Sequence, residues 1–269
     1  MKLIIACLSV AGCTLAALLA GTAVLHLIPR LGSAGKRVSA ALCRAPALDW
    51  VVMYFTVAPL IVGPIIAGWI GLLGAIIGQV ASVLIWSMLH ELANREAVRG
   101  PRIVTVINRI VGRWRNHTAI WLTAIVTPCF SLIRLAEIFI YPQLQWLIGF
   151  PRYQQGEWVN VSRHKFKGLV GHDLIWCLYC DWMTGVWSLG TEMLRNVESF
   201  WCPIRFDNSK KCENCAIDFP DLDNGWVAAD GTMAQVAEMV EREHSGPHHT
   251  WFGHPVRITS KGKEVESTT

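Results

Sequence analysis

The chain has 269 residues, 52% of them hydrophobic and 16% charged, against about 25% charged in an average soluble domain. The apolar residues gather into long blocks before residue 150, which excludes an ordinary water-soluble domain there and leaves a membrane protein with a smaller polar region behind it. The net charge of +4 hides a split: residues 30–167 carry 15 Lys/Arg against 5 Asp/Glu, and residues 207–243 carry 3 against 9. The basic charges lie in short loops between apolar runs, so they are expected to face anionic lipid headgroups. Nucleic acid, the other partner of a basic patch, is set aside on that placement.

The predicted fold is all-α, an integral membrane helical bundle of three to four spans over residues 1–150. Leu3 to Ile28 carries no charged side chain and exceeds the ~20 residues that cross ~30 Å of hydrocarbon. A cleaved signal peptide has a shorter apolar core. Val10-Ala11-Gly12-Cys13 looks like a lipoprotein cleavage site, but the residues after Cys13 stay apolar, so the segment (about 3–28) reads as an uncleaved span. Trp50 to Leu89 is 40 residues without a charge. That is too long for one span and suits a hairpin with arms at about 50–69 and 72–90, turning near Gly68, Gly71 and Gly74. Pro59 and Pro64 kink the first arm, which neighbouring helices tolerate. Gly74, Gly78 and Ser82 stand four apart, a spacing that lets helices approach closely and that chance supplies about as readily in a Gly-rich run.

Residues 118–150 form a fourth apolar block, read as one tilted span or as a re-entrant pair. Arg134 and Glu137 interrupt it at i, i+3, where they can pair on one helix face, and Pro128 and Pro142 break it. Between the hairpin and this block, Ile103, Val106, Ile107, Ile110 and Val111 recur at helical spacing among arginines. This suits a short amphipathic helix on the membrane surface, or equally one packed on the bundle. Arg30, Lys36, Arg37 and Arg44 follow the first span, and Arg95, Arg99, Arg102, Arg109, Arg113 and Arg115 follow the hairpin. The positive-charge rule puts both loops on the cytoplasmic side. The expected location is a bacterial inner membrane, with the polar half leaning to the cytoplasmic side.

Residues 151–259 read as a Trp- and Cys-rich polar region, part helical and part irregular, and residues 260–269 as a disordered tail. No proline interrupts Gly168 to Trp201, so one long helix is expected, ended by Pro203. Asp230-Gly231-Thr232 looks like the start of a second helix reaching about His244.

Two Cys-x-x-Cys pairs, Cys177/Cys180 and Cys212/Cys215, carry the most direct chemical signal. Four thiolates suit a tetrahedral soft-metal site, with Zn²⁺ expected and iron, as a mononuclear centre, a cluster or haem, the alternative. Disulfides involving Cys202, Cys212 and Cys215, or thiols that merely pack, are the bland readings. Cys202, His172 and Asp173 are further ligand candidates. So are His244, His248, His249 and His254, a short His tract that is only a compositional cue. His90-Glu91 begins like a metalloprotease helix, but Asn94 stands where the second His is required. The expected function is an accessory or assembly subunit of a larger membrane complex, with other membrane subunits as partners and a structural metal in its polar half. A membrane redox enzyme acting on a quinone-type substrate is the alternative.

Overall fold

The computed structural model describes residues 1–208, 210, 211, 213, 226–244, 258 and 260. All regular structure among them is helical. Three segments are long and apolar enough to cross a membrane: Lys2–Arg30, Ala47–Ala93 and Arg113–Ile148. The chain covers only 17, 22 and 6% of their most apolar windows. So much uncovered apolar surface requires lipid or other chains around it.

Two compact units can be distinguished, one of residues 1–131 and 159–185, the other of residues 132–158 and 186–269. The first is built on α1 (Lys2–Leu27) and α3 (Ala47–Ala93), with α2 (Gly32–Leu42) between them. Helix α3 is two arms. Ala67 and Gly68 leave helical geometry, and Gly68 takes φ +57, where glycine carries no Cβ penalty. Only this pair makes the turn, because Gly71 serves a different purpose: a Cβ on it would lie 1.9 Å from the Gly63 carbonyl oxygen, so the arms close on each other through bare backbone. Further from the turn, the Gln79 side-chain amide donates to the carbonyls of Phe55 and Thr56 at 2.9 and 2.8 Å. Those two carbonyls lie below Pro59, and Pro59 supplies no N–H to receive the first of them.

Helix α1 lies along the second arm and runs parallel to it. Gly74 faces the Cys7 carbonyl, Gly78 faces the Ala11 carbonyl and Thr14, and a Cβ on either glycine would come within 2.6 Å of those oxygens. Ser82, one step further on, is buried. Small residues four apart therefore do form a helix contact here, held by close packing because lipid tails offer no hydrophobic drive between helices. The first arm touches α1 through Tyr54, whose hydroxyl donates to the Ala17 carbonyl at 2.6 Å. Trp50 and Trp69 are 74 and 72% exposed near opposite ends of this arm, the placement favoured at the two membrane interfaces.

After the hairpin come α4 (Arg95–Arg99), α5 (Ile103–Val111), α6 (Arg113–Ala124) and α7 (Thr127–Leu135). A π-helical turn over Ala136–Ile140 leads into α8 (Tyr141–Ile148). Then follow the single turn α9 (Gln155–Trp158), the long α10 (Gly171–Trp201) and α11 (Met233–His244). Helix α11 begins with a reciprocal cap: Gln235 Oε1 accepts from the Thr232 amide at 2.7 Å while Thr232 Oγ1 accepts from the Gln235 amide at 3.4 Å, as in a Thr-x-x-Gln capping box.

Replacing Gly78 by Leu should force α1 off the second arm. We expect the melting temperature of the full chain in detergent to fall, by the roughly 1–3 kcal/mol that overpacking costs. Gly12→Leu, whose position has nothing within 4 Å, should leave it within a degree or two.

Candidate functional site

Helix α3 ends in His90 and Glu91, and α10 begins at Gly171 with orphan backbone N–H groups, as every helix does. The first end supplies what the second lacks. His90 Nδ1 accepts from the Gly171 amide and Glu91 Oε1 from the His172 amide, both at 3.1 Å. Gly171 has φ +53, and a Cβ there would meet the Glu91 side chain at 2.2 Å, so glycine is required on both counts. Asp173 in turn caps α5, its Oδ1 accepting from the Val104 amide at 3.0 Å. Arg102, at the N-cap of α5, closes the ring. Its guanidinium donates to Glu91 Oε1 at 2.7 Å, to Asp173 Oδ2 at 3.4 Å and to the Val170 carbonyl at 3.4 Å. Arg102 and Asp173 keep 10 and 7% of their side-chain surface, and Glu91 27%. Two carboxylates thus share one cation at the junction of three helices.

Burial by itself would raise the Asp173 carboxyl, but the adjacent His172 imidazole, the hydrogen bond from the Val104 amide and the Arg102 charge outweigh it and hold the group below its ordinary 3.8. Histidines surround this clamp. His172 Nε2 accepts from the Trp176 indole at 3.2 Å, its Nδ1 faces Asp173 at 3.7 Å, and the His117 ring stands edge-on to it at 5.2 Å. His90 stacks on Trp86 at 4.9 Å, and the Trp86 indole N–H points to His26 Nε2 at 3.4 Å. Each of His26, His90 and His172 accepts through one ring nitrogen, so each neutral ring carries its proton on the other.

Cys177 and Cys180 lie three apart on α10, and both are free and half-buried. The Arg163 guanidinium pairs with Asp181 Oδ1 at 3.5 Å and adds positive charge beside Cys177. Asp181 Oδ2 also accepts from the Ser162 and Arg163 backbone amides at 2.7 and 3.1 Å. Burial pushes the Cys177 thiol up, and Arg163 opposes that push. Cys202 is free and exposed just beyond α10. Cys212, Cys215, His248, His249 and His254 lie outside the described residues. His244 ends α11, buried with its ring 4.7 Å from that of Phe200. Among the described residues, no three His, Cys, Asp or Glu side chains stand together as a metal could use them.

The second unit has a polar centre of its own. Arg134 donates to Glu137 at 2.7 Å and to Gln155 at 2.8 Å. Both charges are nearly fully buried, and Glu137 sits in the π-turn, a feature frequent at functional sites. On α10, Arg195 pairs with buried Glu192 at 2.8 Å, and Asn196 donates to the Tyr153 hydroxyl. Burial pushes the Tyr153 phenol far up, so it stays a neutral hydrogen-bonding group.

Sequence spacing singles out His172, Asp173, Arg134 and Glu137. It gives no sign of Arg102 as the partner of Asp173, since 71 residues separate the two; the one local cue is Pro101 just before it. No protein-family model matches the chain, and neither does any curated protein or solved structure.

The lowered Asp173 pKa fixes the sign of a pH effect. Its contribution to stability is complete above about 4 and is lost as the pH falls through the lower native value. The melting temperature should therefore drop as the pH falls below about 4. Arg102→Leu, which leaves Asp173 buried without its cation, should cost roughly 3 kcal/mol at pH 7 and shrink the acid drop. A pH profile of melting temperature for both proteins checks this.

Proposed function

We propose that the protein is an integral, multi-pass membrane accessory or assembly subunit whose α10 docks a helix of a partner subunit. One observation supports it above the others. Trp187, Leu194 and Trp201 recur at intervals of seven on α10 and remain 60, 61 and 56% exposed. This helix is not among the three segments long and apolar enough to cross a membrane. A seven-residue apolar repeat is what a packed partner helix requires, and Trp is enriched at the centres of such contacts. Leu194→Asp with Trp201→Asp should abolish co-purification of a second subunit from native membranes while the chain remains membrane-integrated. A wild-type chain that runs from native membranes as a lone monomer would end this reading.

A structural zinc site, placed in a cytoplasmic polar half of a bacterial inner-membrane protein, is the finer part of the proposal. Cys177 and Cys180 share one helix face and supply half of the donors. Cys212 and Cys215 would supply the rest, and zinc would hold four thiolates in a closed tetrahedral site as a structural clip. The Arg163 charge already lies beside the first pair, so a cation bound there would meet its repulsion. Elemental analysis of the purified chain should give about one zinc per chain, lost in Cys212→Ser or Cys215→Ser, since removing one ligand opens the site.

A further inference from the structure

We propose that the groove at the end of the α3 hairpin is a binding site for the headgroup and upper acyl chain of an anionic phospholipid. The groove, about 330 Å³, is lined by Met88, Leu92 and Val98 with Glu91, Arg95 and Arg99. Its apolar side chains lie beside two exposed guanidiniums, and no ion pair among the described residues engages Arg95 or Arg99. The acidic group inside it, Glu91, is already matched by Arg102 at 2.7 Å. Glu96, on the same short helix, is the other acidic residue of this segment and is not among the lining residues. With Arg102 matched by Glu91 and Asp173, residues 94–112 still hold three further arginines, Arg95, Arg99 and Arg109, against that single glutamate, so the local charge is complementary to a phosphate.

Depth points the same way. Met88 stands 20 residues beyond the Gly68 turn, which is about 30 Å of helix rise and matches the hydrocarbon thickness of a bilayer. With the turn at one interface, Leu92, Arg95 and Arg99 fall at headgroup level on the other, where a single lipid presents an apolar chain and an anionic phosphate together. Helix α5 follows this segment in the chain. Ile103, Val106 and Ile110 are exposed, and Arg109 is exposed among them, as suits a helix lying in the interface plane.

The inference rests on the chain being membrane-embedded, so the test reads embedding separately. The full chain, purified in a neutral detergent, is titrated with dioleoylphosphatidylglycerol, dioleoylphosphatidylcholine and inorganic phosphate, and melting temperature and native mass spectrometry report binding. Phosphatidylglycerol should bind and stabilise, phosphatidylcholine should bind much more weakly, and inorganic phosphate should give no stabilisation. R95Q/R99Q should weaken phosphatidylglycerol binding roughly 10- to 30-fold, at about one surface-charge interaction per arginine. R95K/R99K should retain most of the binding, and R30Q/R37Q, an equal loss of charge outside the groove, should change it less than threefold. Leu92→Glu should abolish binding by placing a carboxylate on the apolar wall, so the site is tested even if R95Q/R99Q folds poorly. Equal losses in R30Q/R37Q and R95Q/R99Q, or equal binding of the two lipids, would overturn the site. Carbonate extraction of cell membranes should leave the wild type and both glutamine variants in the pellet. Release of the wild type would instead refute membrane embedding itself.

Discussion

Arg102 is the constraint on which the first unit depends. Three helices meet at the end of the hairpin, and without it two carboxylates would face each other across a largely buried junction, a cost of several kcal/mol per uncompensated ion. With the guanidinium between them the same carboxylates do double service, because each also accepts an orphan amide at a helix start. Caps of this kind ordinarily come from the residue just before the helix. Here they arrive from a different element, so start and partner are fixed together. The geometry leaves Gly171 no substitute, since any side chain would strike Glu91.

The second unit solves a related problem differently. Arg134–Glu137 and Glu192–Arg195 are each i, i+3 pairs on a single helix, so each buried charge is matched before any tertiary contact forms. A pair neutralised within its own helix can be buried at lower cost than two charges brought from separate elements. Gln155 then adds a second partner to Arg134 from outside that helix. The first unit's charges bind elements to one another, whereas the second unit's are largely satisfied locally.

The helical class and the three apolar segments were legible in the sequence because run length and absence of charge decide them without reference to distant residues. The glycines were only half legible. Glycine marks a turn and a close helix contact with the same letter, so Gly68, Gly71 and Gly74 read as one turn although only Gly68 turns the chain and the other two make room for backbone. Arg134 and Glu137 could be paired by their spacing on one helix. Arg102 could not be assigned, because its partners come from α3 and α10 and no periodicity connects them. Asp173 was visible beside Cys177 on one helical stripe, yet both its oxygens are taken up by Arg102 and Val104. The four-cysteine reading keeps one pair on α10 and has its other pair outside the described residues.

The slender hairpin tip has a consequence for how the chain enters a bilayer. From Val62 to Leu73 there is no ionisable side chain, and the Gly63–Gly71 contact brings the two backbones as near as they can come. In a tip-first insertion of this hairpin, only a neutral, narrow loop would have to be pushed through the hydrocarbon. The arginines flanking the hairpin lie at its opposite end, so none of them would have to make that passage.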